Sequence, residues 1–175
     1  MTTMARQAST RGKPRVLYTD PVNIVGMFHD LQIALARGAV SAEFLRVAGR
    51  MVKDEAAKIP TGMGMIIVVN AEAEAPDEAA RAQLQKMHTE LYGKLRGIVR
   101  VIEGEGFAAA AKRSVLTIID LATRHGHPSK VVSSVDAAVT WILPYMEPVD
   151  RRRYSAGDVV TAIEALRVEL AKVPS

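Results

Sequence analysis

Met63-Gly-Met-Ile-Ile-Val-Val-Asn70 is the stretch on which the reading of the chain turns. Four consecutive Ile or Val residues, Ile66 to Val69, stand where a half-exposed strand would alternate with polar ones. A run this short, β-branched and apolar on both faces reads as a strand covered on two sides. Covered strands need helices above and below, and both flanks supply helix-type sequence.

Upstream, Ser41 is placed to cap a helix running to about Lys58, with Phe44, Ala48, Met51 and Val52 on its inner face; Pro60 and Gly62 end it. Before it, Arg15–Asp20 and Val22–Phe28 are strand-like runs joined by Asp20-Pro21, which reads as the turn between two antiparallel strands at a sheet edge. Leu31 to Gly38 is helical in composition, yet Gly38 would stop any helix, so the segment reads as a connection or a single turn.

Downstream, Pro76 suits the first position of a second helix, with Asp77 and Glu78 in its first turn and Ala80, Leu84, Met87, Leu91 and Leu95 as its core stripe. Ile98 to Ile102 is a further strand, and Glu103-Gly104-Glu105-Gly106 turns it into a helix beginning at Phe107, with Phe107, Ala111, Val115, Ile118 and Ala122 as its stripe. Lys130 to Ser133 makes a last short strand, and Ser134 caps a helix that carries Trp141 and ends at Pro144. After the charged segment Glu147 to Arg153, Ser155 and Asp158 open a final amphipathic helix striped by Val159, Ile163, Leu166 and Leu170.

The expected architecture is α/β: a small mixed, mostly parallel sheet of four to five strands with helices packed on it, plus the extra C-terminal helix. Residues 1–14 form a basic arm expected to be disordered, 15–146 the domain, and 147–175 the linker and last helix. That helix must bury its stripe either on its own domain or on a second copy or partner.

Composition removes whole classes of chemistry. The 175 residues contain no Cys, which excludes disulfides, thiolate metal sites and cysteine nucleophiles. No apolar run nears the ~20 residues of a membrane span, and the N-terminus lacks the apolar centre of a signal peptide, so a cytoplasmic protein is expected. The formal charge of +4 is concentrated in Arg6, Arg11, Lys13 and Arg15, while Val16 to Asp150 holds 14 basic and 16 acidic residues. Without interleaved aromatics, that arm is a weak footprint for nucleic acid.

The order of elements, the covered strand, the Gly-rich turn into a helix starting at Phe107, and Val135-Asp-Ala-Ala-Val-Thr-Trp-Ile-Leu143 together resemble the STAS fold and, within it, the SpoIIAA-like proteins. The resemblance spans about Arg15 to Met146. It implies a mixed sheet with helices and a role in binding protein partners or small hydrophobic ligands, and it does not imply catalysis. The antagonist branch of that family is switched by a phosphoserine in the turn after the third strand. The matching stretch here, Asn70 to Pro76, has no Ser or Thr, and the neighbourhood offers only the constant negative charge of Glu72, Glu74, Asp77 and Glu78.

Other constellations are thin. Gly104-x-Gly106-x-x-Ala109 stands where a dinucleotide fingerprint would, but Glu103 and Glu105 would meet a pyrophosphate with like charge, and a plain turn explains the glycines. His125-Gly126-His127 reads as the end of a helix rather than a metal site; His29 and His88 stand alone. Ser114 has no elbow to expose it as a nucleophile. Met51, Met63, Met65 and Met87 fall where a core is expected. No catalytic, cofactor or metal site is therefore expected. The chain reads as a non-enzymatic regulatory or scaffolding domain acting through protein contact or homo-oligomerisation, with Val159, Ile163, Leu166 and Leu170 as the candidate interaction surface. The alternative is a binder of a lipid or similar hydrophobic molecule lined by Phe107 and Trp141.

Overall fold

The computed structural model describes residues 13–122, 126–146 and 154–174, with seven α3 side chains (Val115, Leu116 and Ile118 to Ala122) left aside. Six strands form one sheet: β1 (Arg15–Thr19), β2 (Asn23–Phe28), β3 (Leu31–Ala36), β4 (Met63–Asn70), β5 (Leu95–Glu103) and β6 (Ser129–Val132). Five α-helices accompany them: α1 (Ala42–Ala57), α2 (Glu78–Glu90), α3 (Gly106–Ala122), α4 (Val135–Ile142) and α5 (Ala156–Ala171), with a 3-10 turn at Leu143–Tyr145. Strand order follows sequence order from β1 to β6. The first two pairings are antiparallel and the last three parallel.

The sheet therefore has one strand more than the four to five expected, and it is more mixed than expected. The added strand is Leu31–Ala36, which the sequence presented as a connection or turn. Leu, Gln and Ala carry no strand preference of their own, but the segment lies between β2 and β4 with both sets of hydrogen bonds filled, and that position overrides composition. It is reached through a two-residue turn, His29-Asp30, in which His29 takes φ 55°. The Asp20-Pro21 turn forms as expected: Asp20 Oδ1 accepts from the Val22 and Asn23 amides at 2.8 and 2.6 Å.

Two apolar layers cover the sheet. With the strand order advancing one way, right-handed crossovers place α1, α2 and α3 on the same face. There Phe44, Leu45, Ala48, Val52 and Ala56 of α1 pack with Val25, Met27, Met63, Met65 and Ile98. The other face is covered by α4 and α5, whose Ala138, Val139, Ile142, Val159, Ile163 and Leu166 meet Ile24, Phe28, Ile33, Ile66, Val68, Val99 and Val101. The β4 run is thus sheathed on both sides, and Ile66 and Val68 are dry. Ile67 and Val69, facing the other way, are half-buried, because α2 leans on α1 and buries only Ala80.

Local corrections follow from the same packing. Met51 is 38% exposed: the buried arc of α1 centres on Leu45, Ala48, Val52 and Ala56 and leaves it at the margin. Helix α2 is capped by Asp77, whose Oδ1 accepts from Ala80 N at 2.7 Å, so Pro76 precedes the helix instead of opening it. Leu91 and Leu95 are buried, but beyond α2, one as its cap and one at the start of β5. Ser41, Ser134 and Ser155 cap α1, α4 and α5 as their sequence implied. Among the described residues no helix is long and apolar enough to cross a membrane. The arm at 1–12, His125, the linker at 147–153 and the side chains of Val115, Ile118 and Ala122 lie outside what is described.

Candidate functional site

In sheets with parallel strands, the turns beyond the carboxyl ends are free to vary while the strands hold them still. Here those turns follow β4 and β5, and side chains of α3 bind them together. Ala71 N donates to Glu103 O at 2.8 Å, joining the two strand ends. Asn70 Oδ1 accepts from Glu72 N at 2.9 Å and shapes the first turn. Lys112 Nζ then donates to Ala71 O at 2.6 Å and Ala73 O at 2.8 Å, gripping the backbone on either side of Glu72. Arg113 braces the second turn through Ile102 O and Gly104 O, at 3.0 and 3.2 Å.

The glycines serve the backbone. Gly104 has φ 118° and Gly106 φ 86°, both in the region that L side chains avoid. A Cβ on Gly104 would also stand 2.9 Å from Ala71 Cβ. This double turn launches α3 so that Ala109 is buried and Phe107 is thrown outward, 90% exposed. Five exposed carboxylates lie on the same two turns and the start of α2: Glu72, Glu74, Asp77, Glu78 and Glu105. A sixth, Glu103, takes a two-pronged ion pair from Arg167 of α5, with Nη1–Oε2 at 3.0 Å and Nη2–Oε1 at 2.5 Å. Donating to this carboxylate raises the Arg167 pKa above its ordinary value.

The residues singled out from the sequence are distributed differently from expectation. Val159, Ile163 and Leu166 are fully buried and Leu170 is 5% exposed, all against the chain's own sheet and α4. Of the two placements open to α5, packing on its own domain is the one adopted, so those four side chains present no free surface. Phe107 and Trp141 do not line a common pocket: they sit on helices at opposite faces of the sheet, and Trp141 tilts against Tyr145 at 4.8 Å. At the start of α3 Ala109, not Phe107, faces inward.

Hydroxyl groups near the site are tied to their own helix: Ser114 donates to Ala110 O at 3.0 Å and Thr117 to Arg113 O at 2.8 Å. Among the described residues no group of three His, Asp or Glu is arranged to hold a metal. Two arrangements escaped the sequence reading. One is the clamp of Lys112 and Arg113, legible only as a pair of cations on an alanine-rich helix. The other joins the β2–β3 turn to the start of α5, where Tyr154 Oη donates to Asp30 and its ring stacks on His29 at 5.1 Å and packs edge-on against Phe28. No family model, curated protein or solved structure matches the chain.

Proposed function

We propose that the chain is a STAS/SpoIIAA-like binding domain that works by protein–protein contact and not by catalysis. The observation that carries this reading is Phe107: a large aromatic side chain held 90% in solvent, at the end of the sheet, on turns braced by Lys112 and Arg113. An aromatic group on a rigid ledge loses little conformational entropy on burial and makes an efficient interface anchor. The hydroxyls of Ser114 and Thr117 point back to carbonyls of their own helix. The absence of Ser and Thr from residues 70–76 removes the family's phosphoserine switch, so binding here is constitutive or controlled through the partner.

Photo-crosslinking tests the reading. Benzoylphenylalanine in place of Phe107 in the native host is expected to capture a discrete protein, whereas the same probe in place of Tyr92, itself 69% exposed, captures none. Identical crosslinking at the two positions, or none at either, would remove the proposal.

A further inference from the structure

The charge around Phe107 specifies what kind of partner this ledge takes. Six of the chain's 19 acidic residues fall at 72–78 and 103–105. Glu103 is held by Arg167, and no described ion pair involves the other five. Lys112 and Arg113 of α3 donate to backbone carbonyls of these turns and, with the exposed Arg81 of α2, set three positive charges among the five carboxylates, so the rim keeps a net negative charge. Glu105 lies two residues from Phe107, and Lys112 of the same helix grips the carbonyls on either side of Glu72, so α3 ties the turns that carry these two carboxylates to the helix that carries the ring. This acidic platform belongs to a chain of formal charge +4.

We infer that Phe107 and its acidic rim dock a basic segment of a partner polypeptide, with an apolar or guanidinium group of that segment seated on the Phe107 ring. The inference rests on the binding-domain reading above and adds the chemistry of the partner. An anionic lipid surface or a nucleic acid would be repelled by the five carboxylates, and a second copy docked ring to ring would set Glu105 against Glu105. A Lys- or Arg-rich segment meets the opposite sign at each of these positions, is steered by it, and places arginine where a ring face attracts cations.

The test uses the full chain, isotope-labelled, titrated with a short synthetic peptide of alternating arginine and leucine and with its glutamate–leucine counterpart. The basic peptide is expected to shift amide resonances at 72–78 and 105–108, to bind more weakly as salt rises, and to show no competition from the acidic peptide. Phe107→Ala and the double reversal Glu72→Lys/Glu105→Lys are each expected to weaken binding roughly tenfold or more. Tyr92→Ala is expected to leave binding unchanged, and all four side chains are exposed enough for the variants to fold. Equal binding by the Phe107 variant, binding of the acidic peptide, a dimer in light scattering dissolved by Phe107→Ala, or capture by phosphatidylserine vesicles lost in that variant would each overturn the inference. Crosslinks at position 107 without peptide binding would overturn the basic partner and leave the binding-domain reading standing; failure of both removes both.

Discussion

Gln32 lies in the middle of the sheet between Met27 on β2 and Met65 on β4, 1% exposed, and its Oε1 has no hydrogen-bond partner. A buried acceptor left unpaired costs about 1–3 kcal/mol relative to one that is satisfied. Methionine has nearly the same length and no such acceptor. Gln32→Met is therefore expected to stabilise the protein by about 1 kcal/mol, read as a higher urea midpoint with an unchanged slope. A lower midpoint would mean that the amide has a partner in solution. Asn23, equally buried, likewise has an unpartnered Oδ1, but its Nδ2 donates to Asp20 Oδ2 at 3.1 Å and Ala39 O at 3.2 Å, tying the β1–β2 turn to the chain ahead of α1, so replacing it would break two bonds. At this scale the sequence was legible where a residue acts on its immediate neighbours, as Asp20 and Ser41 do. It was silent on Gln32, whose cost depends on which two methionines flank it across the sheet.

Helix α5 shows the same division at the level of the element. Its start is a closed capping box: Ser155 Oγ accepts from Asp158 N at 3.2 Å and Asp158 Oδ2 accepts from Ser155 N at 2.7 Å. Ser155→Ala is expected to cost about 1 kcal/mol, measured as a lower thermal midpoint. The hydrogen bonds from the Ser155 backbone and hydroxyl hold the Asp158 carboxyl below its ordinary 3.8. Its folded pKa being the lower one, the carboxylate contributes stability that is present above 3.8 and lost as pH falls through the folded value. Glu55, which takes hydrogen bonds from Lys58 and Arg15 and so links the end of α1 to β1, is likewise held below its ordinary 4.5. The double variant Asp158→Asn/Glu55→Gln is thus expected to lose stability at neutral pH and to show a shallower loss between pH 5 and 3 in acid titrations followed by circular dichroism. An acid limb as steep as the parent's would remove this assignment. The Glu103–Arg167 pair ties α5 to the end of β5, but both side chains are 34% exposed, so Arg167→Ala should cost no more than about 1 kcal/mol.

For the molecule as a whole, α5 is a structural member. It closes the face of β2 and β3 on which Ile24, Phe28, Ile33 and Leu35 lie, and Leu166 inside it is fully buried. Leu166→Ala is expected to cost about 2–5 kcal/mol, since the residue is packed on all sides and leaves a cavity. Ending the chain at Met146 would strip that whole face and is expected to give a chain that binds hydrophobic dye and loses its cooperative melt. A truncated chain that melts cooperatively at the parent's temperature would show that the sheet does not depend on α5. The sheet edges are blunted locally: β1 is bulged between Val16 and Tyr18, and β6 is four residues long with Lys130 exposed within it. Neither edge is therefore inviting to another strand.

By itself the sequence determined what rests on local physics. Four β-branched residues in a row made Ile66 to Val69 an interior strand; Ser and Asp ahead of apolar periodicity started the helices; Gly104 and Gly106 marked the turn. Tertiary structure alone decided whatever depends on distant neighbours. It drew Leu31–Ala36 into the sheet between two strands, folded α5 onto its own domain, and turned Ala109 inward and Phe107 outward on a helix whose sequence was apolar around much of its circumference. The reason is common to all three: spacing along a chain fixes which side chains share a face, but only the packed whole fixes which face meets water.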